Sequence, residues 1–219
     1  MITMQPNTLA DDRTGGDGDA LLQASRRVDW RFLLPDPDMG HVAYLGPARS
    51  SLVESLRLFS TSVTIIRRSS GHSPYGCQYD LVVAIRPSYD EIAHAASLVR
   101  ENGFLYIEAS GVKAPDWKRL VGRLFRRKAS RLLWPSDYTS LVESLGFDDA
   151  QSHWHWPNFE SCTTLIPLAD GAAILHVLRR QQRDRVDRFQ AMLARGLARA
   201  GILQRLVPYF SVVARRVRS

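Results

Sequence analysis

The sequence predicts an α/β domain built on a parallel sheet, and three observations predict it. Short apolar or β-branched runs recur along the chain, of the kind a strand buried on both faces requires. Between them lie stretches whose apolar residues repeat at helical spacing. The junctions carry stop signals, among them Gly46, Pro87, Asn102-Gly103 and Gly146.

Taken in order, residues 21–30 read as a short helix, and Pro35 and Pro37 then impose an extended entry to the sheet. Val42-Ala43-Tyr44-Leu45 is a buried strand ended by Gly46. Residues 50–59 place Leu52, Val53, Leu56 and Phe59 on one helical face, and Val63-Thr64-Ile65-Ile66 follows as a β-branched strand. After a Ser-, Gly- and Pro-rich loop, residues 79–85 form the clearest buried strand in the chain. Residues 88–100 are a helix capped by Ser88, with Asp90 and Glu91 in its first turn. Phe104-Leu105-Tyr106-Ile107-Glu108 is the next strand. Four strands with intervening helices imply a parallel sheet with right-handed crossovers. Residues 116–133 form a helix with an apolar stripe from Trp117 to Leu133 and a basic opposite side. Residues 136–145 are a helix ending at Gly146, and 149–156 alternate like a strand. Residues 158–171 read as irregular, 172–206 as an arginine-rich helical insertion, and 209–215 as a final strand.

The chain has 219 residues, 45% of them hydrophobic, enough for one substantial core. The organisation expected is an acidic, glycine-rich disordered tail over 1–20 and a single domain over 21–219. No apolar run approaches the roughly 20 residues that span a bilayer, and the N-terminal stretch lacks a basic start and apolar block, so the chain reads as cytoplasmic. Cys77 and Cys162 have no metal-type spacing and suit a reducing compartment. A net charge of +7 points to an anionic partner or a solvated basic face. The basic helices have two readings, binding to an anionic membrane surface or a solvated helix side. No helix-turn-helix, zinc or RNP-type motif accompanies the charge, which argues against nucleic acid.

Four segments, VAYLGPARSS, YDLVVAI, SLVRENGFLYIEA and LVESLGF, come in the order of the class I methyltransferases that use S-adenosylmethionine, and the chain resembles that family from about residue 28 to 216. The resemblance implies a Rossmann-like methyltransferase fold with helices on both faces, and an antiparallel last strand in YFSVVARR. It implies that Gly46, Pro47 and Ala48 line the cofactor, flanked by Ile85 and Arg86. The family's glycine-rich turn is reduced here to Gly46. Arg67 or Arg68 stands where the family has a carboxylate for the ribose hydroxyls. A guanidinium accepts no hydrogen bonds and suits a phosphate or carboxylate instead. The segment SHWHWPNFESCTTLIPL, with Asn158 inside it, falls where this fold places substrate-facing loops. It resembles methyltransferase-like proteins encoded with bacterial surface-polysaccharide functions.

His153 and His155 share one strand face, with Trp154 and Trp156 on the other. Two readings follow: a general base or substrate-orienting pair facing the acceptor, or an edge strand with tryptophans in the core. No third ligand accompanies the pair, so no metal site is expected. Asp80, at the start of a strand, reads as a hydrogen-bonding group of the sheet edge. Arg86 lies at a strand's carboxyl end, where open α/β sheets bind ligands. Glu108 ends its strand on the same rim, either as an acid or base or as a partner for Arg86. The functional expectation is methyl transfer to a hydroxyl or carboxyl of a sugar or small metabolite. The alternative is a non-catalytic relative serving as a binding or scaffold protein.

Overall fold

The computed structural model describes residues 14–66, 79–111, 134–180 and 207–217. Its elements are α1 (Thr14–Arg27), a 3-10 turn (Asp29–Leu33), β1 (His41–Leu45), α2 (Ser51–Phe59), β2 (Ser62–Ile65), β3 (Tyr79–Ile85), α3 (Tyr89–Leu98), β4 (Val99–Ser110), α4 (Pro135–Ser144), β5 (Phe147–Trp156), β6 (Thr164–Pro167), α5 (Gly171–Arg180) and β7 (Tyr209–Arg216). The strands form one sheet in the order β2-β1-β3-β4-β7-β5-β6.

β1 runs parallel to β2 and β3, with Val42 level with Val63 and Leu81, and β3 runs parallel to β4. β7 is antiparallel to both β4 and β5, so β5 shares the direction of the first four strands. β6 turns back beside β5 at the edge. The Rossmann-like methyltransferase order and the reversed last strand are therefore as expected.

Period-two alternation divides the central strands between two cores. Val42, Tyr44, Leu81, Val83 and Tyr106 face the side covered by α2 and the 3-10 turn, which contribute Leu52, Val53, Leu56 and Trp30. Ala43, Leu45, Val82, Ala84 and Ile107 face the side covered by α3 and α4, with Ile92, Leu141 and Val142 packed on them. Trp30 stacks flat on Tyr106, ring centroids 3.6 Å apart, and this fixes the 3-10 turn to the middle of the sheet. Such a stack contributes about 1 kcal/mol beyond the area it buries.

The structure departs from the sequence reading in four places. α1 begins at Thr14, inside the stretch expected as a tail. α3 ends at Leu98, not at residue 100, because Arg216 Nη1 on β7 donates to the carbonyls of Ala96 at 2.8 Å and Val99 at 3.0 Å. β4 consequently starts at Val99 and passes through Asn102 in a left-handed conformation, φ 60°. Residues 164–167 form a strand where none was expected. Asp80 takes the role read for it, accepting from the His41 amide at 2.7 Å and pairing with Arg100. The basic helix expected over 116–133 and most of the insertion expected over 172–206 lie outside the described residues, as does Cys77; Cys162 is a buried free thiol. Among the described residues no helix is long and apolar enough to cross a membrane.

The Ser88 capping box closes the first turn of α3: Ser88 Oγ accepts from the Glu91 amide, and Glu91 Oε2 accepts from the Ser88 amide at 2.6 Å. We expect Ser88→Ala to lower the urea midpoint by an amount equivalent to about 1 kcal/mol, with an unchanged slope.

Candidate functional site

The chain leaves β1 toward β2 on one side while β3 lies on the other, so the strand order reverses between β1 and β3. Open α/β sheets bind ligands outside the carboxyl ends of the strands at such a reversal. A cavity of about 410 Å³ lies there, with Tyr44, Pro47, Ser50, Ile85, Arg86 and Glu108 in its wall. The turn is shaped by its own residues: Ser50 Oγ caps α2 by accepting from the Val53 amide, and Tyr44 Oη lies 3.1 Å from Ser50 Oγ. A Cβ on Gly46 would stand 2.6 Å from Tyr44 Oη and 3.0 Å from Ile85 Cγ1. Any larger residue here would push the ends of the Tyr44 and Ile85 side chains from their places beneath the turn.

Beneath the cavity lies a buried ion pair. Arg27, the last residue of α1, donates from Nη1 to Glu108 Oε1 at 2.6 Å and from Nη2 to Glu108 Oε2 at 2.8 Å. The two side chains are 6% and 2% exposed, so the fork-on-carboxylate geometry works in a low-dielectric setting. Burial opposes the Arg27 charge, but the hydrogen bonds and charge of Glu108 outweigh it and push the pKa above arginine's ordinary value. Tyr106 Oη donates to Glu108 Oε1 at 3.2 Å; burial first, then the neighbouring carboxylate, holds this phenol protonated well above its usual range.

The loop from β5 to β6 closes one side of the cavity. Asn158 Oδ1 accepts from the Glu160 and Ser161 amides, both at 2.9 Å, and this tight turn presents Phe159 and Glu160. Phe159 is buried against His155 and Tyr209 and completes the cavity wall. Glu160 reaches Arg27 Nε at 3.3 Å and accepts from Ser51 Oγ at 2.6 Å, tying the loop to the first turn of α2.

The structure gathers Pro47, Ile85, Arg86 and Glu108 into one wall, with Gly46 in the adjoining turn. Ala48 is exposed in that turn and does not line the cavity. Asn158 organises the neighbouring loop with its side chain instead of facing the cavity. Arg67 and Arg68 lie outside the described residues. Glu108 does not partner the Arg86 side chain: its carboxylate is taken by Arg27, while the Arg86 amide donates to the Glu108 carbonyl at 2.7 Å. Arg86 itself is exposed, in a left-handed conformation of φ 48°, and its guanidinium has no partner among the described residues. An arginine in that conformation is uncommon and marks a locally constrained strand end.

Neither histidine reaches this cavity. His155 lies one layer beneath it, 2% exposed, with Nε2 2.8 Å from Ser211 Oγ and 3.5 Å from Tyr106 Oη. Burial, then the charge of Arg27, then His153, push its pKa down to about 3. His153 lines a separate, smaller cavity, and burial lowers its pKa to about 4. Trp154 and Trp156 face the other side, edge to face, as the alternation required. Among the described residues no group of His, Cys, Asp or Glu is placed to hold a metal. Sequence reasoning missed Arg27, Phe159 and Glu160; the signal available was Glu108 itself, a carboxylate ending an apolar strand and therefore in need of a cation.

Removing Arg27 leaves Glu108 buried without its cation. We expect Arg27→Met to cost about 3–5 kcal/mol in denaturant unfolding, and Arg27→Met with Glu108→Leu to recover most of it. Both histidines are neutral when folded and have an ordinary value of 6.5 when unfolded, so between pH 6.5 and about 4 the unfolded chain binds the extra protons. Stability therefore falls as pH drops through that window. Replacing either histidine by phenylalanine should flatten the loss relative to the wild type, measured as urea midpoints at pH 7.5 and 4.5.

No family model matches the chain, and no curated protein matches its sequence. Solved structures do resemble it. Phosphoethanolamine N-methyltransferase 2 of Haemonchus contortus, solved with phosphomonomethylethanolamine and S-adenosylhomocysteine, aligns with a TM-score of 0.46 and 10% identity over 94% of this chain and 59% of that one. The chain thus spans about three fifths of that enzyme's length. A Thermotoga maritima S-adenosylmethionine-dependent methyltransferase aligns with a TM-score of 0.46 and 9% identity over 92% and 95% of the two chains. A geranyl diphosphate methyltransferase solved with geranyl diphosphate and sinefungin gives 0.44 and 11% over 90% and 78%. At these identities and TM-scores no inference about this chain is drawn from the alignments. On its own strand order and directions, the chain has the Rossmann-like fold of the class I S-adenosylmethionine-dependent methyltransferases.

Proposed function

We propose that this protein transfers a methyl group from S-adenosylmethionine to a small-molecule acceptor, binding the cofactor in the cavity at the carboxyl ends of β1, β3 and β4. The observation that carries the reading is the cavity's position and charge. It lies at the reversal of strand order, its volume of about 410 Å³ is within the usual range for a ligand site, and the Arg86 guanidinium, without a partner among the described residues, lines it.

The residues present fit the amino-acid end of the cofactor. Arg86, exposed and without a partner among the described residues, offers a cation for the carboxylate. The Arg27 charge is already matched by Glu108 and Glu160, so it does not repel a sulfonium. Glu160, 66% exposed beside the cavity, offers a carboxylate to the ammonium group. Arg67 and Arg68, which follow β2 in the sequence, are chemically suited to an anionic group instead of a ribose diol. The cofactor supplies a sulfonium-bound methyl group. This chain's residues hold the reactants in line and exclude water, which supplies most of what such a transfer needs. Phe159 covers one side, and His155, through Ser211 and Tyr106, acts as a positioning residue for the Glu108 floor. The acceptor class that fits is a hydroxyl or carboxyl of a sugar or small metabolite.

One observation favours a second reading, a non-catalytic methyltransferase relative with an altered cofactor site. The space beneath Gly46 is filled by Tyr44. Titration calorimetry separates the two. Under the first reading S-adenosylmethionine and S-adenosylhomocysteine bind, and Arg86→Asn, which tolerates the left-handed backbone, weakens binding roughly ten- to hundredfold by removing a charge-assisted hydrogen bond. No heat at millimolar ligand would sink that reading and leave the second.

A further inference from the structure

Residues 157–162, between β5 and β6, form a unit that is closed at its base and braced within. At the base the Thr163 amide donates to the Trp156 carbonyl at 2.9 Å, beside the last strand pair, Trp156 with Thr164. Inside, Asn158 Oδ1 accepts from the Glu160 and Ser161 amides at 2.9 Å and from Ser161 Oγ at 3.1 Å. The unit is held to the rest of the fold by contacts of two kinds. Phe159, 8% exposed, rests on the His155 and Tyr209 rings, with the Arg27 guanidinium 5.8 Å from its ring centre. Among the described residues, the polar contacts that reach from the loop to α1 and α2 are both made by Glu160: Oε2 accepts from Ser51 Oγ at 2.6 Å, and Oε1 lies 3.3 Å from Arg27 Nε. Glu160 is 66% exposed, so water replaces these contacts readily when they break.

We infer that the β5–β6 loop is a flap that opens the carboxyl-end cavity as one piece, and that Glu160 is the latch that holds it shut. Phe159 and Glu160 both line that cavity, so lifting this one loop removes a side of it. The internal bonds of Asn158 and the closed base let the loop move without coming apart. Opening admits water to Arg27 but leaves its two bonds to Glu108 in place, so the floor stays while the wall moves. The burial of Phe159 keeps the closed arrangement dominant. Taking this opening as ligand access rests on the reading of the cavity as the ligand site; the flap itself is tested without a ligand, so failure to bind S-adenosylmethionine and failure of the flap are separate results. The loop carries its own reporter. Cys162 is 6% exposed and its Sγ points to the Thr164 carbonyl at 3.5 Å. Burial first pushes its thiol pKa up, and the charges of Asp29 and Arg27 also act on it, which puts the sulfur under the loop on the α1 side. A thiol so placed reacts only when it is uncovered.

The test is alkylation of Cys162 by iodoacetamide in the full-length, unliganded protein, resolved from Cys77 by peptide mass spectrometry. With alkylation slow against closing, its rate follows the open population. Glu160→Ala should speed it roughly three- to tenfold, the effect of losing a charge-assisted hydrogen bond at an exposed site. Ser51→Ala should speed it too, and should add nothing in the Glu160→Ala background. Glu54→Gln, which removes the α2 surface pair with Arg57, should leave the rate unchanged. In the wild type, low urea should raise the rate only weakly, because lifting one loop exposes little surface. Four results would each overturn the flap: an unchanged rate in Glu160→Ala, additive effects of the Glu160 and Ser51 variants, an equal gain in Glu54→Gln, or wild-type labelling as steep in urea as global unfolding. The wild-type urea series decides the matter even if a variant does not fold.

Discussion

The site depends on the ion pair between Arg27 and Glu108. It joins the end of the first helix to the carboxyl end of the fourth strand, 81 residues away in the chain. Charges this deeply buried are tolerated when they are paired and hydrogen-bonded: here two bonds join the partners and one comes from Tyr106, while Glu160 lies 3.3 Å from Arg27 Nε as a second opposite charge. Helix α1, strand β4 and the β5–β6 loop therefore meet at this one ion pair. The cavity floor is rigid because moving any of them uncovers a charge.

That rigidity extends outward through neighbours of a different kind. The Trp30–Tyr106 stack sets the position of the phenol that bonds Glu108, and Trp30 follows Arg27 by three residues, so one short segment supplies both the cation and its support. On the open side, Glu160 holds the β5–β6 loop to α2 through Ser51. The turn after β1 is equally self-contained, with Tyr44 under Gly46 and against Ser50. What is left for a ligand is the Arg86 rim, where the backbone takes φ 48° and the guanidinium has no partner among the described residues.

How much of this the sequence disclosed follows from how local each cause is. Strands β1, β3 and β4 were legible because burial on both faces demands continuous apolar runs, and Ile85, Arg86 and Glu108 could be placed at the binding rim because strand ends at a reversal of order are defined by topology alone. β6 was not legible: four residues, Thr164-Leu165-Ile166-Pro167, at a sheet edge and ending in proline carry little pattern. Arg27 was hidden for another reason. Nothing near it in sequence distinguishes it from the chain's other arginines; only the packing of α1 over the sheet brings it to Glu108. The two histidines illustrate the converse, since the alternation correctly put them on one face but could not say that the face is covered. Their depth in the sheet made them structural neighbours of two cavities, not the walls of one catalytic site.

The central claim is that the carboxyl-end cavity, floored by Arg27 and Glu108 and rimmed by Arg86, is where this protein binds its ligand. Hydrogen–deuterium exchange with and without S-adenosylhomocysteine tests it most directly. The account predicts slowed exchange confined to residues 46–52, 85–89 and 157–162, with residues 99–104 at the other end of β4 unchanged. Uniform exchange in both states, or protection that falls elsewhere in the fold, would contradict it.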